Sequence, residues 1–199
     1  MTVFRSDRDR NDYLRFIRKE TARFGVEVLA WCLMTNHVHF IAVPSQQTAL
    51  ARAFGEAHRR FTYARNREEN TRGYLFQGRF GSCILDEDHL LAAVRYVELN
   101  PVRAGMVEKA WEYPWSSARF HVGLHETDLL VKSRSLMGLS IDWRGFLLTE
   151  DPAMREKVRK ATQTGRPAGD DTFMESIEQV TCRNLRYGKR GRPRKEPEN

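Results

Sequence analysis

The chain has 199 residues, 41% hydrophobic and 11% aromatic, which is the content of one folded core and too apolar for a disordered chain. No apolar run approaches the ~20 residues of a membrane helix, and the N-terminus has no signal-peptide core, so a cytoplasmic location without membrane contact is expected. The net charge of +7 favours a polyanion as partner, and the three cysteines (Cys32, Cys83 and Cys182), far apart and in no C-x-x-C spacing, read as reduced thiols. The charge is localised. From Thr181 onward seven basic residues face two acidic ones, so +5 of the +7 lies in the last 19 positions.

In chain order, Tyr13, Phe16, Ile17 and Phe24 predict an amphipathic helix over 7–24, closed by Gly25. From Val26 to Met34 both alternating faces are apolar, which predicts a strand covered on both sides. Val28, Ala30 and Cys32 fall on one face, and Leu29, Trp31 and Leu33 on the other. Thr35-Asn36 is a short turn, and His37 to Val43 a second strand stopped by Pro44, so the two should form an antiparallel hairpin. Residues 48–67 repeat Leu50, Phe54, Ala57, Phe61 and Ala64 at spacings of four and three, a helix. A polar loop follows, and Tyr74 to Leu85 predicts one or two short strands broken by Gly78 and Gly81. Acidic Asp86-Glu87-Asp88 opens a helix running from about His89 to Leu99, which Asn100-Pro101 disturbs or ends. Beyond Gly123, short helices are expected around 129–137, 152–161 and 171–180, with a linker at Thr164–Pro167. This order defines an α+β fold with an antiparallel sheet.

His37 and His39 are two apart on a strand, so both imidazoles leave one face and can share a divalent cation; imidazole ligands alone would suggest zinc or manganese. Surface or hydrogen-bonded core histidines are the competing reading. On the helix after Asp88, Tyr96 and Asn100 are i, i+4 neighbours beside the buried stripe of Leu90, Val94 and Val97. A core-rim tyrosine and a helix-terminating asparagine would look the same.

Residues 27–44, containing His37-Val38-His39, resemble the signature of the single-tyrosine HUH transposases. Residues 95–107, Arg-Tyr-Val-Glu-Leu-Asn-Pro-Val-Arg-Ala-Gly-Met-Val, resemble the nucleophile helix of its REP-associated branch. Phe76-Gln-Gly-Arg-Phe80 and Tyr113-Pro-Trp-Ser-Ser-Ala-Arg119 are further matches, so the resemblance spans about 7–123. It implies a ferredoxin/RRM-like antiparallel sheet with helices packed on it, the HUH nuclease fold. It also implies His37, His39 and Asn100 as ligands of a divalent metal (Mg2+ or Mn2+), with Tyr96 as the nucleophile toward single-stranded or hairpin DNA. The general base is left unassigned. Three segments are expected: a catalytic domain over 1–123, a helical extension over 124–186 and a basic tail over 187–199.

Arg52, Arg59, Arg60 and Arg65 are candidates for the phosphate path of a DNA strand, against an ordinary solvated helix face. The tail resembles an AT-hook, with Arg190, Arg192 and Arg194 suited to a narrow minor groove, against a solubilising tail. Members of the family usually begin with a strand ahead of the first helix, where only Met1-Thr-Val-Phe4 stands here. The sheet should therefore lack an inner strand and show an unpaired edge, one outcome of which is a homodimer. The leading expectation is a nicking and strand-transfer enzyme. Its alternatives are a domesticated hairpin-binding protein without catalysis and a hydrolase that uses the histidines to activate water.

Overall fold

The computed structural model describes residues 2–132, 136 and 141–185. Helix α1 (Asp7–Phe24) starts on a capping box: Ser6 Oγ accepts from the Asp9 amide, and the Asp9 carboxylate accepts from the Ser6 amide. It ends at Gly25, whose φ of 65° lets its N–H return to Thr21 O. A Cβ at that position would also lie 2.3 Å from Ser45 Oγ, so only glycine fits between helix and hairpin.

Strands β1 (Val26–Leu33) and β2 (Val38–Pro44) form the expected antiparallel hairpin. Its face assignment differs from strict alternation. The register shifts between Val28 and Ala30, leaving Leu29 as an extra residue. Val28, Trp31 and Leu33 consequently pack with α1 and with α2 (Ala49–Glu68), whereas Leu29, Ala30 and Cys32 face the other way, toward α3 (Glu87–Glu98). A bulge has no period-2 signature, so alternation alone misassigns the residues before it.

Among the described residues the sheet has these two strands. The strands expected within Tyr74–Leu85 are instead turns and bends ending in one bridge, Leu85 to Ala168. Gly73 and Gly78, at φ near 120°, break the extended run. The segment packs by its aromatic rings: Phe76 stacks on His58 at 4.0 Å, and Phe80 lies 5.5 Å from Phe54. The open side of β1 is covered by the Tyr113–Ser117 segment, through Leu33 N to Trp115 O (2.8 Å), Ser117 N to Trp31 O (3.0 Å) and Tyr113 Oη to Leu33 O (2.7 Å).

Helix α3 is capped by Asp86, which accepts from the His89 amide. The Asn-Pro pair does not stop the helical path. Leu99 breaks it, and α4 (Asn100–Arg103) adds another turn with Pro101 at a position where no amide donor is needed. A short turn (Ala110–Glu112) and α5 (Ala118–His121) follow. Helices α6 (Trp143–Leu148), α7 (Pro152–Thr164) and α8 (Asp171–Thr181) make up the C-terminal part. The helix expected around 129–137 is not formed by the residues described there: 129–132 run as bends and coil and Leu136 lies in a turn, while 133–135 and 137 lie outside the described residues; α6 was not anticipated. The C-terminal part packs on the rest: Ala168 bonds both Ile84 O (2.8 Å) and the Asp86 amide (3.1 Å), and Trp143 joins the cluster of Leu29, Ala30 and Val94.

Candidate active site

Helix α3 lies against the sheet face that carries His39. In the strand register His39 stands opposite Cys32, which packs with Val97 of α3, so the same contact that buries Val97 brings Tyr96 to the histidines. The His37 and His39 rings are 4.8 Å apart and perpendicular; the His39 and Tyr96 rings are 6.1 Å apart, also perpendicular. His37 Nδ1 lies 2.7 Å from Asn36 Oδ1. With that nitrogen donating, Nε2 presents its lone pair. Burial, then His37 and Arg103, push the His39 imidazolium down to about 4, and burial lowers His37 as well. Both rings are neutral near pH 7, the form that ligates a cation.

Asn100 follows Tyr96 by one turn. Its Nδ2 donates to Tyr96 O (3.0 Å) and Val97 O (3.2 Å), so Oδ1 is the atom left to ligate. No group of three His, Cys, Asp or Glu suited to a metal occurs among the described residues. The donors brought together are the imidazoles of His37 and His39, with Asn100 placed by its position one turn after Tyr96. Such a pair suits a divalent ion that takes its further ligands from water or phosphate oxygens.

Sequence reasoning missed two features beside this site. Arg103 lies over Tyr96, its guanidinium carbon 4.5 Å from the ring centroid, and donates to Tyr96 O. Behind the helix, the fully buried Glu98 accepts from Ser117 Oγ (2.5 Å) and from His121 Nδ1 (2.6 Å), and Ser117 Oγ also takes the Trp31 amide (3.0 Å). The network ties α3 to α5 and β1. Glu98 follows the helical stripe of Val94 and Ala93, which was the available signal for its burial.

The arginines of α2 have mixed surroundings. Arg65 meets Asp9 (2.7 Å), Glu68 and Glu69, and Arg60 meets Glu56 (2.8 Å) and the buried Glu20 (3.4 Å), so both bind α2 to α1. Arg59 pairs with Glu56 in two bonds; these bonds and those from Arg60 hold the Glu56 carboxyl down to about 2. Arg52 lies on the Phe24 ring at 4.5 Å. Arg190, Arg192 and Arg194 lie outside the described residues.

His39 on β2, with His37 just before the strand, faces Tyr96 of α3. The family model for IS200-like transposases matches residues 1–100, and the chain belongs to that family. It is 27% identical over 140 residues to a Haemophilus influenzae protein provisionally named a REP-associated tyrosine transposase, a match covering 60% of this chain and 77% of that one. A solved structure of a REP-associated tyrosine transposase bound to a REP hairpin is similar at 23% identity and a TM-score of 0.49, covering 61% of this chain and 72% of the other. No described helix is long and apolar enough to cross a membrane.

Proposed function

We propose that this chain nicks and rejoins single-stranded DNA beside a hairpin through a covalent bond to Tyr96. The observation that carries the reading is the contact between His39 of β2 and Tyr96 of α3, which joins two motifs distant in sequence into one site. Tyr96 Oη attacks a backbone phosphorus and the bond from phosphorus to O3′ breaks. A 5′-phosphotyrosine and a free 3′-hydroxyl result; the phenol proton passes to solvent and O3′ takes one up. The reverse attack by a 3′-hydroxyl releases Tyr96, so no nucleotide cofactor is needed.

His37 Nε2, His39 and Asn100 Oδ1 would hold the divalent ion, magnesium or manganese in keeping with the family. When bound, it polarises the phosphate and neutralises developing charge. Asn36 orients His37, and the Glu98 network holds α3 on the sheet. Hairpin DNA as target follows the resemblance to the REP-associated branch. Residues 1–123 carry the chemistry, and 187–199 add duplex contacts through Arg190, Arg192 and Arg194. Of the α2 arginines, Arg52 is the best placed for the strand, because its charge is engaged with a ring rather than a carboxylate.

The test is a suicide substrate, a labelled single strand carrying a hairpin, incubated with manganese or magnesium. Wild type should form a covalent adduct that survives denaturation, and chelation or Tyr96→Phe should abolish it. Full adduct formation by Tyr96→Phe would remove Tyr96 from its role. The two-stranded sheet supports a second reading, hairpin binding without nicking, for which the same assay would show binding and no adduct.

A further inference from the structure

The family model ends at residue 100, yet groups beyond it converge on Tyr96. Arg103 is held at several points. Its guanidinium lies on the Tyr96 ring at 4.5 Å, Nη2 donates to Tyr96 O, and Nη1 donates to Glu150 Oε1 at 3.0 Å. The Glu150 carboxylate is shared: its Oε2 takes Arg155 Nη1 at 3.1 Å. Arg103 and Arg155 thus share one carboxylate, with Arg95 and Asp151 close to it, so Glu150 does not by itself neutralise both guanidinium groups. The segment supplying Glu150 is itself fastened to α3, because Phe146 of α6 stacks under the Arg95 guanidinium at 3.8 Å, one residue before Tyr96.

We infer that Arg103, held in place by Glu150, stabilises the negative charge that develops at Tyr96 and the phosphate during attack, so that the α6–α7 part of the chain belongs to the active site. This rests on Tyr96 being the nucleophile. Arg103 has five N–H donors, of which two make the bonds given, so donors remain for a phosphate oxygen. Its side chain is 24% exposed and that of Glu150 23%, partly shielded from water, where a fixed charge acts more strongly than at an open surface. Glu150 touches neither tyrosine nor DNA in this scheme. It is a positioning residue, acting only through Arg103.

The experiment measures single-turnover adduct formation and hairpin Kd for the full-length wild type and for R103A, R103K, E150A, E150Q and R103A/E150A. Circular dichroism establishes that each is folded at the assay temperature. R103A should slow adduct formation by about 10²-fold, with Kd changed by less than about threefold. R103K, which keeps the charge and loses the planar fork, should be intermediate. E150A should slow the reaction about tenfold in the wild-type background and not at all in R103A, while E150Q, which can still accept from Arg103, should recover most of the rate. Wild-type rates in folded R103A and R103K would overturn the inference, and an E150A effect of equal size in both backgrounds would overturn the part given to Glu150. A wild-type chain that binds the hairpin but forms no adduct would instead remove the proposed function itself.

Discussion

At the scale of single residues, burial decides what each histidine can do. His58 lies between Phe76 and Tyr13, its Nε2 is 2.9 Å from Tyr13 Oη, and burial pushes its imidazolium down to about 4. Above the usual 6.5 the ring is neutral in both the folded and unfolded chains. As pH falls below that, the unfolded chain takes up the proton first, so stability is lost between about 6.5 and about 4 and the loss is complete below the folded value. On the order of 3 kcal/mol belongs to this one residue. Urea denaturation at a series of pH values should show a shallower acid slope in His58→Gln than in wild type; parallel curves would assign the slope to other groups. The same scale explains what was readable beforehand. His37, His39, Tyr96 and Asn100 could be singled out because their spacings are local. Arg103 could not, because Asn100-Pro101 was expected to disturb or end the helix that in fact carries it over Tyr96; the burial of Glu98 was legible in its stripe, but its partners Ser117 and His121 come from a separate segment.

At the scale of elements, the arginines of α2 separate by what they touch. Arg65 neutralises Asp9, which is 1% exposed and also caps α1, so Arg65→Ala leaves a carboxylate buried without its cation. A loss of about 3 kcal/mol is expected in urea denaturation. Arg59, paired with Glu56 at the surface, should be replaceable by alanine with no measurable shift of the midpoint. Equal effects of the two changes would contradict this division. Periodicity located α1, α2, α3 and both strands to within a residue or two, since each buries a continuous stripe or face. It failed in two places for physical reasons. The bulge at Leu29 changes the parity of β1, and the aromatic loop from Tyr74 to Phe80 buries its rings without pairing its backbone in a sheet.

At the scale of the whole molecule, charge and chemistry sit apart. Six of the basic residues lie at or beyond Arg186 in the sequence, whereas the histidines, Tyr96 and Arg103 fall in its first 103 positions. Ending the chain after Leu185 should therefore weaken hairpin binding and flatten its salt dependence, lowering the slope of log K against log salt by about 3–5, while adduct formation at saturating DNA stays near wild type. Binding measured across a salt series, with the adduct rate beside it, checks both halves. An unchanged slope would show that the tail does not contact phosphates.

The Glu98 network bears also on the order in which the chain becomes competent during its synthesis. Ser117 closes on Trp31 across 86 residues and His121 closes on Glu98 across 23, so α3 gains its buried polar anchors only after α5 has left the ribosome. Until then the histidine hairpin and α3 can each form locally, but the polar groups that hold them together have no partners. A nascent chain shorter than about 121 residues would hence hold the two motifs together by apolar contacts such as Cys32 with Val97, without the Glu98 network. The polar anchoring of α3 would be complete only once more than half of the chain has been made.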